Sequence, residues 1–194
     1  MLLQFTFSLP ARTFCSLFAN NEQLGMLKSQ DIVIIVKAML LEDSKWTYRG
    51  LADELNMSVS TIHDGIKRAD ACHLFNKQNR SVMRRNLLEF LEHGIRYTFP
   101  SRRGSMSRGI PTGYAAPPLR DQIRSGEASS PVWAHAEGQE KGYTLMPLHP
   151  AVPDLALRDE KFYEILSLID ALRNGGTRER KIAANLLRDR IEKR

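Results

Sequence analysis

The sequence predicts a mainly α-helical protein: a helix-turn-helix domain with a small β-hairpin beside it, plus a C-terminal helical hairpin. Three observations predict it. Residues 47–71, TYRGLADELNMSVSTIHDGIKRADA, hold two short helical patterns on either side of a three-residue turn. Residues 162–191 carry two apolar stripes of helical spacing, separated by Gly175-Gly176. Apart from the β-branched run at 32–36, strand-like patterns are confined to short runs within 73–83, 132–135 and 142–145.

The first segment, residues 1–26, is apolar and aromatic, with Arg12 as its only base. It lacks the cationic start of a signal peptide and is too interrupted for a membrane span. It reads as a poorly ordered N-terminal extension, with Met26 as an alternative start.

A domain follows over residues 27–98. Ser29 is expected to cap a helix from about Gln30 to Leu41, although the β-branched run Ile32–Val36 also suits a buried strand. Thr47 is placed to cap the next helix, in which Leu51, Ala52 and Leu55 share a face. Asn56 suits the left-handed position of the turn, and Ser58 caps the second helix. There Met57, Val59, Ile62 and Ile66 are expected to point inward. Ser60, Thr61, His63, Asp64, Lys67 and Arg68 are expected to point outward. Leu74-Phe75 and Ser81-Val82 read as two short strands around a tip at Asn76–Arg80, and an irregular loop fits nearly as well. From Arg84 to about Arg96, Leu87, Leu88, Leu91 and Ile95 share one side of a further helix.

Charge is unevenly spread. The chain is formally +6, yet residues 67–108 alone hold ten Lys/Arg against three acids. Positive charge thus begins on the second helix of the motif and continues past it, the arrangement that phosphate contacts require. A solvated basic surface is the plainer reading. Arg84 and Arg85 open a helix, where the helix dipole disfavours cations, which suggests phosphate contact over helix stabilisation.

The order helix, helix, turn, helix, hairpin, helix is that of a winged helix. Over about residues 27–98 the chain resembles bacterial winged helix-turn-helix transcription regulators of the broad MarR/ArsR-like type. Asn56 in place of glycine and the short wing depart from their pattern. The resemblance implies sequence-specific binding of double-stranded DNA, usually as a homodimer. On that reading Ser60, Thr61, His63 and Lys67 face base edges, and Ser58, Arg68, Lys77, Arg80, Arg84 and Arg85 face phosphates. The alternative is a protein-interaction adaptor or antitoxin-like subunit built on the same fold.

Residues 99–150 read as a Pro/Gly/Arg-rich loop and a β-hairpin. Arg102, Arg103 and Arg108 lie among glycines, as in either a basic arm following a minor groove or a plain connecting loop. Val132–His135 and Gly142–Leu145 read as paired strands around AEGQEK. Residues 151–194 read as the helical hairpin, with Phe162, Ile165, Leu166, Ile169 and Leu172 on one stripe. Thr177 would cap the last helix, and Ile182, Ala183, Leu186, Leu187 and Ile191 form its stripe.

Chemistry is sparsely represented. Cys15 and Cys72 have neither metal nor disulfide spacing, the five histidines are scattered, and nucleotide-binding glycine motifs are missing. A non-enzymatic, cofactor-free protein of the cytoplasm, with no membrane partner, is the expectation.

Overall fold

The computed structural model describes residues 26–123 and 129–192. The expected extension at 1–26 lies, but for Met26, outside the described residues. The protein is mainly helical, with a two-stranded antiparallel sheet and a three-stranded sheet. No helix among the described residues is long and apolar enough to cross a membrane.

The central element is α1 (Ser29–Leu40). Its β-branched run forms a helix, not a strand, because it is enclosed on all sides: Ile32 to Val36 and Ala38 are fully buried. Lys28, not Ser29, occupies the cap position, and the Asp31 carboxylate accepts its backbone N–H at 2.7 Å. Around α1 pack α2 (Tyr48–Leu55), α3 (Val59–Ala71) and the hairpin β1 (Phe75–Asn76) and β2 (Ser81–Val82), whose register pairs Phe75 with Val82. Gly65 lets α3 approach α1, since a Cβ there would lie 2.6 Å from Ile34 Cδ1.

Helix α4 starts as Arg84–Glu89, widens to a π turn at Phe90–Gly94 and ends as Ile95–Thr98. The expected loop after it is instead β3 (Arg103–Pro111). Strands β4 (Ser130–Ala134) and β5 (Glu140–Leu145) do not form the expected hairpin. They run parallel, and β3 pairs antiparallel with both, so the three strands close on themselves. Closure brings backbones together where no side chain fits. A Cβ on Gly109 would lie 2.1 Å from the Trp133 carbonyl, and one on Gly142 would lie 1.9 Å from that of Ser130. Gly104 and Gly109, which suggested a loop, are thus close-approach positions of a sheet.

After α5 (Val152–Ala156), helices α6 (Glu160–Asn174) and α7 (Thr177–Glu192) form the expected hairpin. Thr177 is the first helical residue, not the cap, and Glu179 accepts the Gly176 N–H at 2.9 Å. Arg188 pairs with Glu92 on α4 at 2.7 Å, and Arg190 pairs with Glu164 on α6 at 2.9 Å, so α7 spans both.

Sheet, α4 and α6 meet at one buried polar cluster. Asp170 accepts from Trp133 Nε1 at 2.6 Å and from Thr112 Oγ1 at 3.0 Å, and pairs with Arg173 at 2.5 Å. Arg173 in turn donates to the carbonyls of Phe99 at 2.8 Å and Met146 at 3.2 Å.

Truncating one member of a buried pair strands the other's charge. Arg173→Met should therefore cost about 3–5 kcal/mol in urea unfolding; a loss below 1 kcal/mol would contradict the role given to this cluster. A second prediction concerns Lys37, which pairs with Asp159 at 2.8 Å and Glu54 at 3.0 Å. Burial alone would lower the Lys37 ammonium, but hydrogen bonds to Asp159 and Glu54 hold it above 10.5. Burial alone would raise Asp159, but the bonds from Lys37 and the Phe162 N–H hold it below 3.8. The aspartate's contribution is present above 3.8 and fades as pH falls through its lower folded value; the lysine's is present below 10.5 and fades as pH rises through its higher one. Lys37→Met should thus be less stable than the parent at about pH 7, with the gap narrowing at about pH 2. A gap of equal size at both would show that the ion pair is not its source.

Candidate nucleic-acid interface

The turn between α2 and α3 forms by the local chemistry of its residues. The Thr47 hydroxyl accepts the Gly50 N–H at 3.0 Å and so starts α2. Asn56 takes the left-handed backbone, φ 51° and ψ 46°, and the Met57 N–H returns to the Ala52 carbonyl at 3.0 Å. Ser58 then accepts the Thr61 N–H at 3.1 Å and starts α3.

Ile62 and Ile66 are fully buried, as the helical spacing requires. Val59 is not: it is 41% exposed at the first turn of α3. Ser58, Ser60, His63, Asp64 and Lys67 are exposed, and Thr61 is half-buried beside them. The Ser58 hydroxyl lies 2.8 Å from those of both Ser60 and Thr61, which makes a hydroxyl cluster on the first turn.

Three of the expected phosphate contacts have other partners. Arg68 turns inward and makes a two-bond pair with the fully buried Asp31, at 2.8 and 2.7 Å. Its guanidinium is held even above its ordinary range, chiefly by the hydrogen bonds to Asp31. Arg84 donates to Glu42 and to the Ile191 carbonyl, both at 2.6 Å, so it ties α4 to the end of α7. Glu42 also accepts the Val82 N–H at 2.8 Å, which explains why a cation opens α4: it answers a carboxylate, not the helix dipole.

Arg80 is the third. It lies at the hairpin tip with φ 52°, and its guanidinium donates to the Trp46 carbonyl at 2.8 Å. It also sits 4.7 Å above the Trp46 ring and 5.4 Å above the Tyr48 ring. Tyr48 in turn stacks on His63 of α3, with centroids 3.9 Å apart and planes 9° from parallel. One aromatic platform therefore joins the hairpin tip to the exposed face of α3. Trp46 and Tyr48 were missed by sequence reasoning; two aromatics at i, i+2 before an N-terminal helix turn were the available signal.

Lys67, Lys77 and Arg85 remain exposed, with side chains free of ion pairs among the described residues. The tip that carries Lys77 is anchored to α3 by the Asp70 carboxylate, which accepts the Lys77 N–H at 2.9 Å. Among the described residues no group of His, Cys, Asp or Glu is placed to hold a metal ion.

The two kinds of base are separable by stability. Arg68→Met should cost about 3–5 kcal/mol by leaving Asp31 buried and unpaired. Lys67→Ala should stay within about 0.5 kcal/mol. Equal losses in chemical denaturation would mean that the division is wrong.

No family model, curated protein or solved structure matches the chain.

Proposed function

We propose that the chain is a transcription regulator that binds double-stranded DNA sequence-specifically, as a winged helix with α3 in the major groove and the β1–β2 hairpin as its wing. One observation carries the reading. α3 and its cap present a row of hydroxyl, imidazole and ammonium groups, the exposed Ser58, Ser60, His63 and Lys67 with the half-buried Thr61 among them, and Lys77 lies on the anchored tip beside it. Short hydrogen-bonding side chains at the first turns suit base edges, and cations beyond them suit phosphates. Ser60, Thr61 and His63 are assigned to bases; Lys67, expected at a base edge, lies one turn beyond them and is assigned with Ser58, Lys77 and Arg85 to phosphates. Arg68 and Arg84 hold α3 and α4 in place, and Arg80 ties the hairpin tip to the platform beside α3.

Two copies bound about a symmetric site would double the row, and a protected region of two half-sites about one helical turn apart is the corresponding expectation.

Selection from random duplexes, followed by fluorescence anisotropy on the enriched sequence, tests the reading. His63→Ala or Thr61→Ala should cost about 1–3 kcal/mol on that sequence and relax preference at one position. Lys67→Ala should weaken every sequence alike and reduce the salt slope by about one. Failure of any duplex to enrich, with affinity indifferent to Lys67 and Lys77, would defeat the proposal.

A further inference from the structure

On the exposed face of α3, His63 is held differently from its neighbours. Its imidazole stacks on the Tyr48 ring, with centroids 3.9 Å apart and planes 9° from parallel. Tyr48 is itself held from other sides. The Trp46 ring meets it edge-on at 5.7 Å, and the Arg80 guanidinium lies 5.4 Å from its centroid. Trp46 is buried and packs in turn on the buried Phe75 of β1, with centroids 6.2 Å apart. A chain of ring contacts therefore runs from the core to the solvent side of α3 and ends at His63.

The stack sets the plane of the imidazole and covers one of its faces, so the ring meets a ligand with its edge. His63 is exposed, and among the described residues neither of its ring nitrogens has a hydrogen-bond or ion-pair partner. The Ser60 and Thr61 hydroxyls, by contrast, already share the Ser58 hydroxyl. His63 thus combines unsatisfied polar atoms with a ring plane fixed before binding. Fixing it beforehand removes an ordering cost that association would otherwise carry.

An imidazole keeps at least one ring N–H in either charge state, so it always offers a donor in its own plane. The acceptors in the major groove are purine N7, guanine O6 and thymine O4. O6 is engaged by the amino group of the paired cytosine, and O4 lies beside the thymine methyl. N7 takes no part in pairing and has only a C–H on its outer side, so a flat ring reaches it edge to edge. We propose that His63, held by Tyr48, donates to the N7 of a purine, and that Tyr48 is the positioning residue for this contact. The inference rests on α3 lying in the major groove. N7 is common to adenine and guanine, so the contact reads which strand carries the purine at that position, not which purine it is.

The test uses the full chain and the duplex enriched by selection. Each purine is replaced in turn by its 7-deaza analogue, which keeps the pairing edge and lacks N7. At one position per half-site the analogue should lower the parent's affinity by about fivefold to tenfold. His63→Ala and Tyr48→Leu should bind more weakly than the parent and no longer distinguish the analogue there, with the salt slope set by Lys67 and Lys77 unchanged. Tyr48→Phe keeps the ring and should keep the discrimination. In the free protein, 1H–13C NMR should show the His63 ring protons moving downfield in Tyr48→Leu, where the ring current is lost, and staying in place in Tyr48→Phe. Unmoved His63 resonances in Tyr48→Leu overturn the inference without any DNA present. So does an enriched duplex with no analogue effect that depends on His63, or a Tyr48→Leu variant that discriminates as the parent does; both leave the reading of α3 intact. Failure of any duplex to enrich defeats that reading, and this inference with it.

Discussion

The ion pair between Asp170 and Arg173 is the constraint on which the rest of the structure depends. Both side chains are buried on α6, and between them they reach Trp133 and Thr112 in the sheet region, the Phe99 carbonyl after α4, and the Met146 carbonyl after β5. Apolar packing alone holds layers together without choosing their relative position. A buried charge pair chooses, because each displaced bond leaves a polar group without water or partner. The cluster therefore sets where the three-stranded sheet sits on α6.

The same principle acts at the other end of the molecule. Asp31, enclosed on α1, accepts the Lys28 N–H and two bonds from Arg68, which orients α3 about its own axis. With Gly65 admitting Ile34, this contact decides which residues of α3 face solvent. The polar row at Ser58, Ser60, His63 and Lys67 is exposed because Arg68 is not. The platform of Trp46, Tyr48, Arg80 and His63 adds a second link, so the hairpin tip and α3 are positioned together.

Much of the helical half was legible. Thr47, Asn56 and Ser58 act within three or four residues of themselves, so their roles follow from local backbone chemistry. The Leu87–Ile95 and Phe162–Leu172 stripes follow from periodicity, which needs no knowledge of the partner surface. The hairpin was legible only as one of two readings, because strands of two residues carry almost no pattern. The basic residues of 67–108 were legible as charge but not as roles. Arg68, Arg80 and Arg84 are answered by Asp31, Trp46 and Glu42, which lie 37, 34 and 42 residues away in the chain. The sheet misled for a different reason: Gly104 and Gly109 look like loop residues, whereas closure of three strands excludes side chains there.

The sequence by itself determined the α2–α3 pair with its caps at Thr47 and Ser58, the turn at Asn56, the later helical stripes and the polar character of α3, because each depends on neighbours within one or two turns. Only the tertiary structure decided that Ile32–Val36 is helical, that Arg68 and Arg84 face inward, and that β4 and β5 run parallel. Those outcomes depend on which distant group meets each residue. Burial makes such meetings selective: a charge enclosed in the core is tolerated only where its partner waits, and two backbones touch only where glycine lets them.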